Sequence, residues 1–359
     1  MKEKIKMAAL GLSLAAGVCS AAPVNPVTLP PEVCIPLAAD WNDTAHMAGM
    51  DGVHCLKQNA LISQNIKFYF GTNGKSIFLV SEAETGPGGV RQRGRTPAMV
   101  INDDTYELVL VPNPDDPRSP IYHMIINNRG SLYSLARKEG QPVNWKPDVK
   151  IKSNIDAKNN KWTFRMEIPC KDFGLAKLAP GKKFGLRFAK NWVDMDGAWQ
   201  TNWSQIGTAY FQTAQLPYLT FLPKAPAIHK EIGIKDGKPY AQITINNFNA
   251  AEQKYHIKWL FLPNASQSID EESVVTVPGK GKKIIPLPIR QFMETEKADA
   301  CVIVSTADKK TVLYRRTIAW DRTFKTKFRD LKSKDSERIA RETFEDMVRH
   351  TTVPEHLKG

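Results

Sequence analysis

A chain of 359 residues with a formal charge of +13 and 42% apolar residues is long enough for two domains, each able to bury a core. This is the composition of an ordinary globular protein and excludes a disordered one. The positive charge suits an acidic partner, but the lysines are scattered as on solvated faces, so no nucleic-acid partner is expected.

The N-terminus reads as a secretory signal over residues 1–22. Lys2, Lys4 and Lys6 precede an apolar run from Met7 to Val18, and Ser20-Ala21-Ala22 offers small residues for cleavage. A secreted or periplasmic location follows. The apolar run is too short to span a bilayer and no later segment is long enough, so no transmembrane segment is expected. Cys19 would suit a lipoprotein, but Val18 stands where a small residue is needed, so lipid anchoring is not expected. Export permits disulfides. Of Cys34, Cys55, Cys170 and Cys301, the pair Cys34–Cys55 is favoured because it closes a short loop, although four cysteines allow three pairings.

Residues 23–34 form a Pro-rich lead-in. Short strand-like runs follow. Gln64–Phe70 and Ser76–Glu82 flank Gly71-Thr72-Asn73-Gly74, a hairpin signature. Tyr106–Val111 and Ile121–Asn127 flank "PNPDDPRSP"; Lys150–Ile155 and Trp162–Ile168 flank "DAKNNK"; Phe184–Lys190 and Tyr218–Leu222 complete the series. In "KWTFRMEIP" (161–169), Trp162, Phe164, Met166 and Ile168 alternate with Thr163, Arg165 and Glu167, the period of a half-buried strand. After a linker-like "LPKAPA", seven further strand-like runs lie between His229 and Trp320. The fold class is therefore all-β. An antiparallel jelly-roll-like β-sandwich (35–222) precedes a smaller immunoglobulin- or fibronectin-like β-sandwich (226–320). A charged tail (321–359) carries a short amphipathic helix, with Ala340, Phe344, Met347 and Val348 at helical spacing.

No H-E-x-x-H, G-x-S-x-G or Walker pattern is present, and the histidines do not pair at metal-ligand spacing. The carboxylates Asp103, Asp104, Glu107 and Glu167 are placed in or beside strands. Asp194 and Asp196 can offer oxygens to a structural calcium, though not as an EF-hand loop. The tryptophans say more. Trp145, Trp192, Trp199 and Trp203 sit in or beside loops, and an exposed indole face suits a sugar ring. Asn191 and Gln200 stand close by to meet hydroxyls. The same tryptophans would equally plug the end of a sandwich, and Trp203 fits that role better. The loop "GPGGVRQRGRTP" (86–97) concentrates Arg91, Arg93 and Arg95, whose forks match carboxylate or sulfate.

"KWTFRMEIPCKDFG" (161–174), "DDTYELVLVPNPDD" (103–116), "YHMIINNRG" (122–130), "GKKFGLRFAKNW" (181–192), "TNWSQ" (201–205) and "AADWNDTA" (38–45) together resemble the ordered motifs of family 9 carbohydrate-binding modules and their DOMON-like relatives, over about residues 35–222. The resemblance implies a β-sandwich binding sugars at one edge, often between two tryptophans, with structural calcium. It implies association with polysaccharide degradation. The Trp199/Trp203 region matches one clamping position; the loop after Glu82, where the second is expected, holds Arg and Gly instead. That departure leaves open an acidic or sulfated glycan, or no sugar at all. Glu107 and Glu167 match framework positions and are read as scaffold.

The expected protein is secreted, binds carbohydrate and is not catalytic. Its rivals are a glycoside hydrolase hydrolysing O-glycosyl bonds, or an accessory domain of one, and an envelope structural or adhesion protein. A haem-binding relative of the fold would need axial ligands, for which Met47 and His123 are the nearest residues. The oligomeric state is not legible.

Overall fold

The computed structural model describes residues 29–321 apart from 57–58, 87–88, 93, 95, 197–199, 205–215, 236–237, 265–266 and 289–295, and adds residues 26, 323, 327 and 328. The expected signal segment and tail helix lie outside the described residues, as do Arg93, Arg95, Trp199 and the side chains of Cys55 and Asp196.

The chain is an all-β sandwich. Its first fourteen strands are β1 (Glu32–Ile35), β2 (Ala48–Leu56), β3 (Asn59–Thr72), β4 (Ser76–Glu84), β5 (Thr105–Val111), β6 (Ile121–Asn127), β7 (Leu132–Lys138), β8 (Gln141–Val143), β9 (Lys150–Asp156), β10 (Lys161–Pro169), β11 (Lys183–Asn191), β12 (Met195–Asp196), β13 (Gln200–Asn202) and β14 (Tyr218–Phe221). One layer runs β9–β10–β4–β3–β2. The other runs β8–β7–β6–β5–β11–β14–β1, with β1 parallel to β14. Strand β13 pairs with β11 and with β2 and so ties the layers at one corner. That corner is tight. A Cβ on Gly52 would lie 2.3 Å from Thr201 Cγ2, at the register shift between Asp51 and Gly52.

The β3–β4 turn forms where the Thr-Asn-Gly run announces it. Gly74 takes a φ of 84°, and Asn73 Oδ1 accepts from the amides of Lys75 and Ser76. Strand β10 buries Trp162, Phe164, Met166 and Ile168. Facing them is Tyr106, stacked on Phe164 at 4.2 Å and on Phe188 at 5.3 Å, with its hydroxyl donating to Ser81 Oγ at 2.8 Å. Each such aromatic pair adds about 0.5–1.5 kcal/mol beyond the area it buries. On the outer side of β10, Glu167 accepts from Ser76 Oγ at 2.8 Å and Lys150 Nζ at 3.3 Å, an ordinary framework pairing between neighbouring strands.

The second half contributes β15 (Ala227–Lys235), β16 (Lys238–Asn247), β17 (Gln253–Asn264), β18 (Gln267–Val277), β19 (Gly281–Pro286), β20 (Lys297–Thr306), β21 (Val312–Asp321) and β22 (Lys327–Phe328). These strands extend both layers. Strand β15 pairs parallel with β2 and continues to β16 and β19. Strand β21 pairs with β1 and continues to β20, β17 and β18. The stretch read as a second sandwich is thus hydrogen-bonded to the first along two seams. The short β22 returns to pair with β12.

The favoured Cys34–Cys55 bridge does not form. Cys34 is a free, buried thiol that donates to Val312 O at 3.3 Å. The reason lies in the sheet: β1 is held between β14 and β21, which turns this side chain toward β21. Burial pushes the thiol pKa up to about 12.

Candidate functional site

Two polar constellations meet at the end of β11. The first lies on the outer face of the β5–β11–β13 layer. Tyr106, Leu108, Phe188, Thr201 and Trp203 point into the sandwich, so strand alternation puts Thr105, Glu107, Asn191, Gln200 and Asn202 on the opposite side. Glu107 accepts from His123 Nε2 at 2.8 Å, Asn191 Nδ2 at 3.0 Å and Gln200 Nε2 at 3.4 Å. Gln200 Nε2 also donates to Asn191 Oδ1 at 2.8 Å. Hydrogen bonds to a charged acceptor are worth about 1.5–3 kcal/mol each, more so away from water. Beside this network, Gln200 Oε1, Asn202 Nδ2 and Ser204 Oγ are buried without a hydrogen-bond partner among the described residues.

The second constellation lies on the inner side of the same strand end. Lys190 is buried, with Nζ 3.2 Å from Asp104 Oδ1 and 2.9 Å from Asn191 O, and it stands over the rings of Trp162 (4.7 Å) and Trp192 (4.3 Å). Asp104 also accepts the amides of Val193 and Arg91. Asp103 Oδ2 takes the amide of Gly94 at 2.8 Å and Asn127 Nδ2 at 3.0 Å. The two adjacent aspartates thereby staple the Arg-containing loop to the sandwich. Asp194 is driven up to about pH 7, first by burial and then by the charge of Asp104, with Lys190 opposing. Burial lowers the Lys190 pKa, against the pull of those carboxylates.

Trp192 is enclosed rather than offered. Its Nε1–H donates to Thr201 Oγ1 at 2.7 Å, and that hydroxyl lies 3.0 Å from His54 Nδ1. The tautomer of His54 sets which of the two donates, and burial lowers the His54 pKa to about 4, which favours the neutral ring. Phe328 of β22 packs against Trp192 with centroids 5.9 Å apart. A Cβ on Gly86 would come within 2.9 Å of the Phe328 ring and 2.1 Å of Asp194 Oδ2, so the turn at Gly86 admits the strap only because it has no side chain.

The structure corrects the expectation of exposed indoles. Trp192 is 2% exposed and Trp203 0%; the latter donates to Leu186 O at 3.0 Å and packs on Phe70. Trp145 is also buried, against Tyr122, donating to Asp172 O at 2.7 Å. All three are framework, because each indole N–H has an internal acceptor and each ring an internal neighbour. Asn191 and Gln200 do come together, in the outer row. Arg91 is half-buried at the stapled loop.

Of the expected calcium pair, the side chain of Asp196 lies outside the described residues, and Asp194 Oδ2 has no hydrogen-bond partner among the described ones. Both oxygens of Asp104 already accept N–H donors, and the Lys190 ammonium supplies the positive charge between Asp104 and Asp194. Among the described residues, no three His, Cys, Asp or Glu side chains converge as ligands. Met47 is packed with Ala38, Phe78 and Val80, and His123 is tied to Glu107, so neither is arranged as an axial haem ligand.

Sequence reasoning missed Lys190 and Asp104 as a pair, Asn202 and Ser204 as members of the row, and Phe328 as a cap. Only the row had a signal: Gln200, Asn202 and Ser204 alternate with Thr201 and Trp203.

No family model matches the chain, and no curated protein matches it in sequence. Among solved structures, a candidate carbohydrate-binding protein from Bacteroides uniformis is similar at 15% identity, with a TM-score of 0.40 over 54% of this chain and 99% of that one. A family 9 carbohydrate-binding module from Caldicellulosiruptor kristjanssonii, solved with cellotriose, is similar at 14% identity, with a TM-score of 0.37 over 54% of this chain and 95% of that one. A DUF3823 family protein from Bacteroides ovatus reaches 10% identity and a TM-score of 0.21 over 77% of this chain and 98% of that one.

Proposed function

We propose that this chain is an exported, non-catalytic carbohydrate-binding protein whose ligand is an oligo- or polysaccharide taken up by the Glu107–Asn191–Gln200–Asn202 row. The observation that carries the reading is a trio of buried atoms with no partner among the described residues, Gln200 Oε1, Asn202 Nδ2 and Ser204 Oγ, beside a carboxylate that accepts from His123, Asn191 and Gln200. Acceptors and a donor at neighbouring positions on one rigid face are what a vicinal diol needs. The motif resemblance and the N-terminal leader support the same reading. The row is shielded from bulk water, so entry requires the surface over β13 to open. The test is a glycan array at low and moderate salt, followed by calorimetry on the hits. Binding should weaken on the order of tenfold in Gln200→Ala or Asn202→Ala, the cost of one buried hydrogen bond. Unchanged affinity in both variants would place the ligand elsewhere.

One observation favours a glycoside hydrolase as the rival. Asp194, raised to about pH 7 beside Asp104, has the character of a general acid next to a second carboxylate. Lys190, bonded to Asp104, fills the gap where a sugar bond would sit. Turnover of reporter glycosides that disappears in Asp194→Asn would establish the rival.

A further inference from the structure

The seam between the two halves buries an excess of positive charge. Lys230 of β15 lies beside Met50 of β2 in the parallel pairing, and its side chain is on the same face as the core residue Ile228. Arg316 of β21 shares a face with buried Tyr314 and reaches across to donate from Nη2 to Asp51 O at 2.6 Å. Lys230 is 2% exposed and Arg316 1%. Among the described residues Lys230 Nζ has no hydrogen-bond partner within reach, nor have Arg316 Nε and Nη1, although Arg316 lies close enough to the Tyr314 hydroxyl to oppose the rise of its pKa. The two cations are close enough that, after burial, Arg316 is the chief influence lowering the Lys230 pKa, with Asp51 the opposing carboxylate. The nearby Lys67 and Glu231 pair with each other and add no net charge. Among the described residues, two cations against one carboxylate leave one positive charge uncompensated at the seam. Such a charge is either removed by deprotonation or met by a counter-charge.

We propose that a small monovalent inorganic anion of the halide class is bound at this seam, held by Lys230 Nζ and by the Nε/Nη1 edge of Arg316. A single negative charge balances the cluster, and a spherical acceptor makes no directional demand on donors from two different strands. Because the two donors belong to strands attached to β2 and β1 respectively, the anion would fasten the second half to the first.

The test uses the full chain. Its thermal midpoint is measured in chloride, bromide and gluconate at constant ionic strength, and crystals are soaked in bromide. The expected results are a saturable rise of several degrees in chloride or bromide over gluconate, loss of that rise in Lys230→Met, and an anomalous bromide peak between Lys230 and Arg316. A midpoint indifferent to the anion, or an equal rise in Lys230→Met, would overturn the proposal. Should that variant not fold, the wild-type crystal decides: no bromide at the seam means that Lys230 is buried as a neutral amine.

Discussion

Replacing Lys190 by methionine keeps the volume of the side chain and removes one buried charge. The lost interactions are countable: one ion pair at 3.2 Å to Asp104, one hydrogen bond at 2.9 Å to Asn191 O, and two cation–π contacts at 4.7 and 4.3 Å. What decides the size of the effect is what remains. Asp104 and Asp194 are 2% exposed each, already repel one another, and lose the cation between them. Breaking a buried pair by deleting one partner costs about 3–5 kcal/mol, because the survivor stays charged in a poor solvent. That is a large share of a typical domain's stability of about 5–15 kcal/mol. The deficit should shrink as pH falls, since protonating either aspartate relieves it. The assay is urea unfolding of wild type and Lys190→Met at pH 8 and pH 5, with Lys190→Met/Asp104→Asn closing a double-mutant cycle. The double variant should recover a substantial part of the loss at pH 8. A deficit below about 1 kcal/mol, or one that is the same at both pH values, would refute the reasoning: surface pairs behave that way and buried ones do not.

Asp194 makes a related prediction in the wild type. Its folded pKa of about 7 exceeds the ordinary 3.8, so the folded state binds the proton more tightly and this group's contribution to stability falls as pH rises through that window. Asp194→Asn should flatten the slope of stability against pH between about 4 and 7, as read by denaturation at several pH values; an unaltered slope would show that another group titrates there. Removing the cap in Phe328→Ala should cost about 1–2 kcal/mol from lost apolar burial and speed amide exchange at Met195 and Asp196, the residues paired with β22. Exchange there that stays as slow as in the wild type would mean the strap is not held by its ring. The Cys34 thiol, buried and with its pKa pushed up to about 12, should resist alkylation in the native protein and react only on unfolding. Fast native labelling at Cys34, or a Cys34–Cys55 peptide in a non-reduced digest, would contradict the free, enclosed thiol.

Much of the fold was legible because period-2 patterning and turn chemistry are local. The run from Ile121 to Asn127 is β6 residue for residue, and the strands around "DAKNNK" pair as a hairpin. Strand β2 was not seen: Ala48-Gly-Met-Asp-Gly carries small and charged residues where alternation is sought, since its outer edge is covered by β13 and β15 instead of water. The site was less legible for a similar reason. A tryptophan in a loop-like stretch carries no mark of whether its N–H will find an internal acceptor, and Trp145, Trp192 and Trp203 all do. Lys190 reads as one lysine among many until Asp104, distant in sequence, is brought against it.

The joining of the two halves bears on how a bound ligand would be sensed. Each seam has few ladder positions, two at β15–β2 and two at β1–β21. Such short ladders would not fix an angle alone. They are reinforced by oriented side chains: Arg315 reaches Glu32 and Pro30 O, both at 3.2 Å, His229 Nε2 donates to Met47 O at 2.8 Å, and His46 stacks on Phe248 at 3.7 Å. Polar and directional contacts of this kind resist rotation more than a greasy face of equal area, which tolerates sliding. Strand β2 is central to the arrangement. It carries β15 at Gly49 and Met50 and, a few residues on, β13 at Val53 and His54. The polar row is therefore one strand away from the seam. Any movement of β13 therefore acts on the same strand that holds the second half in place.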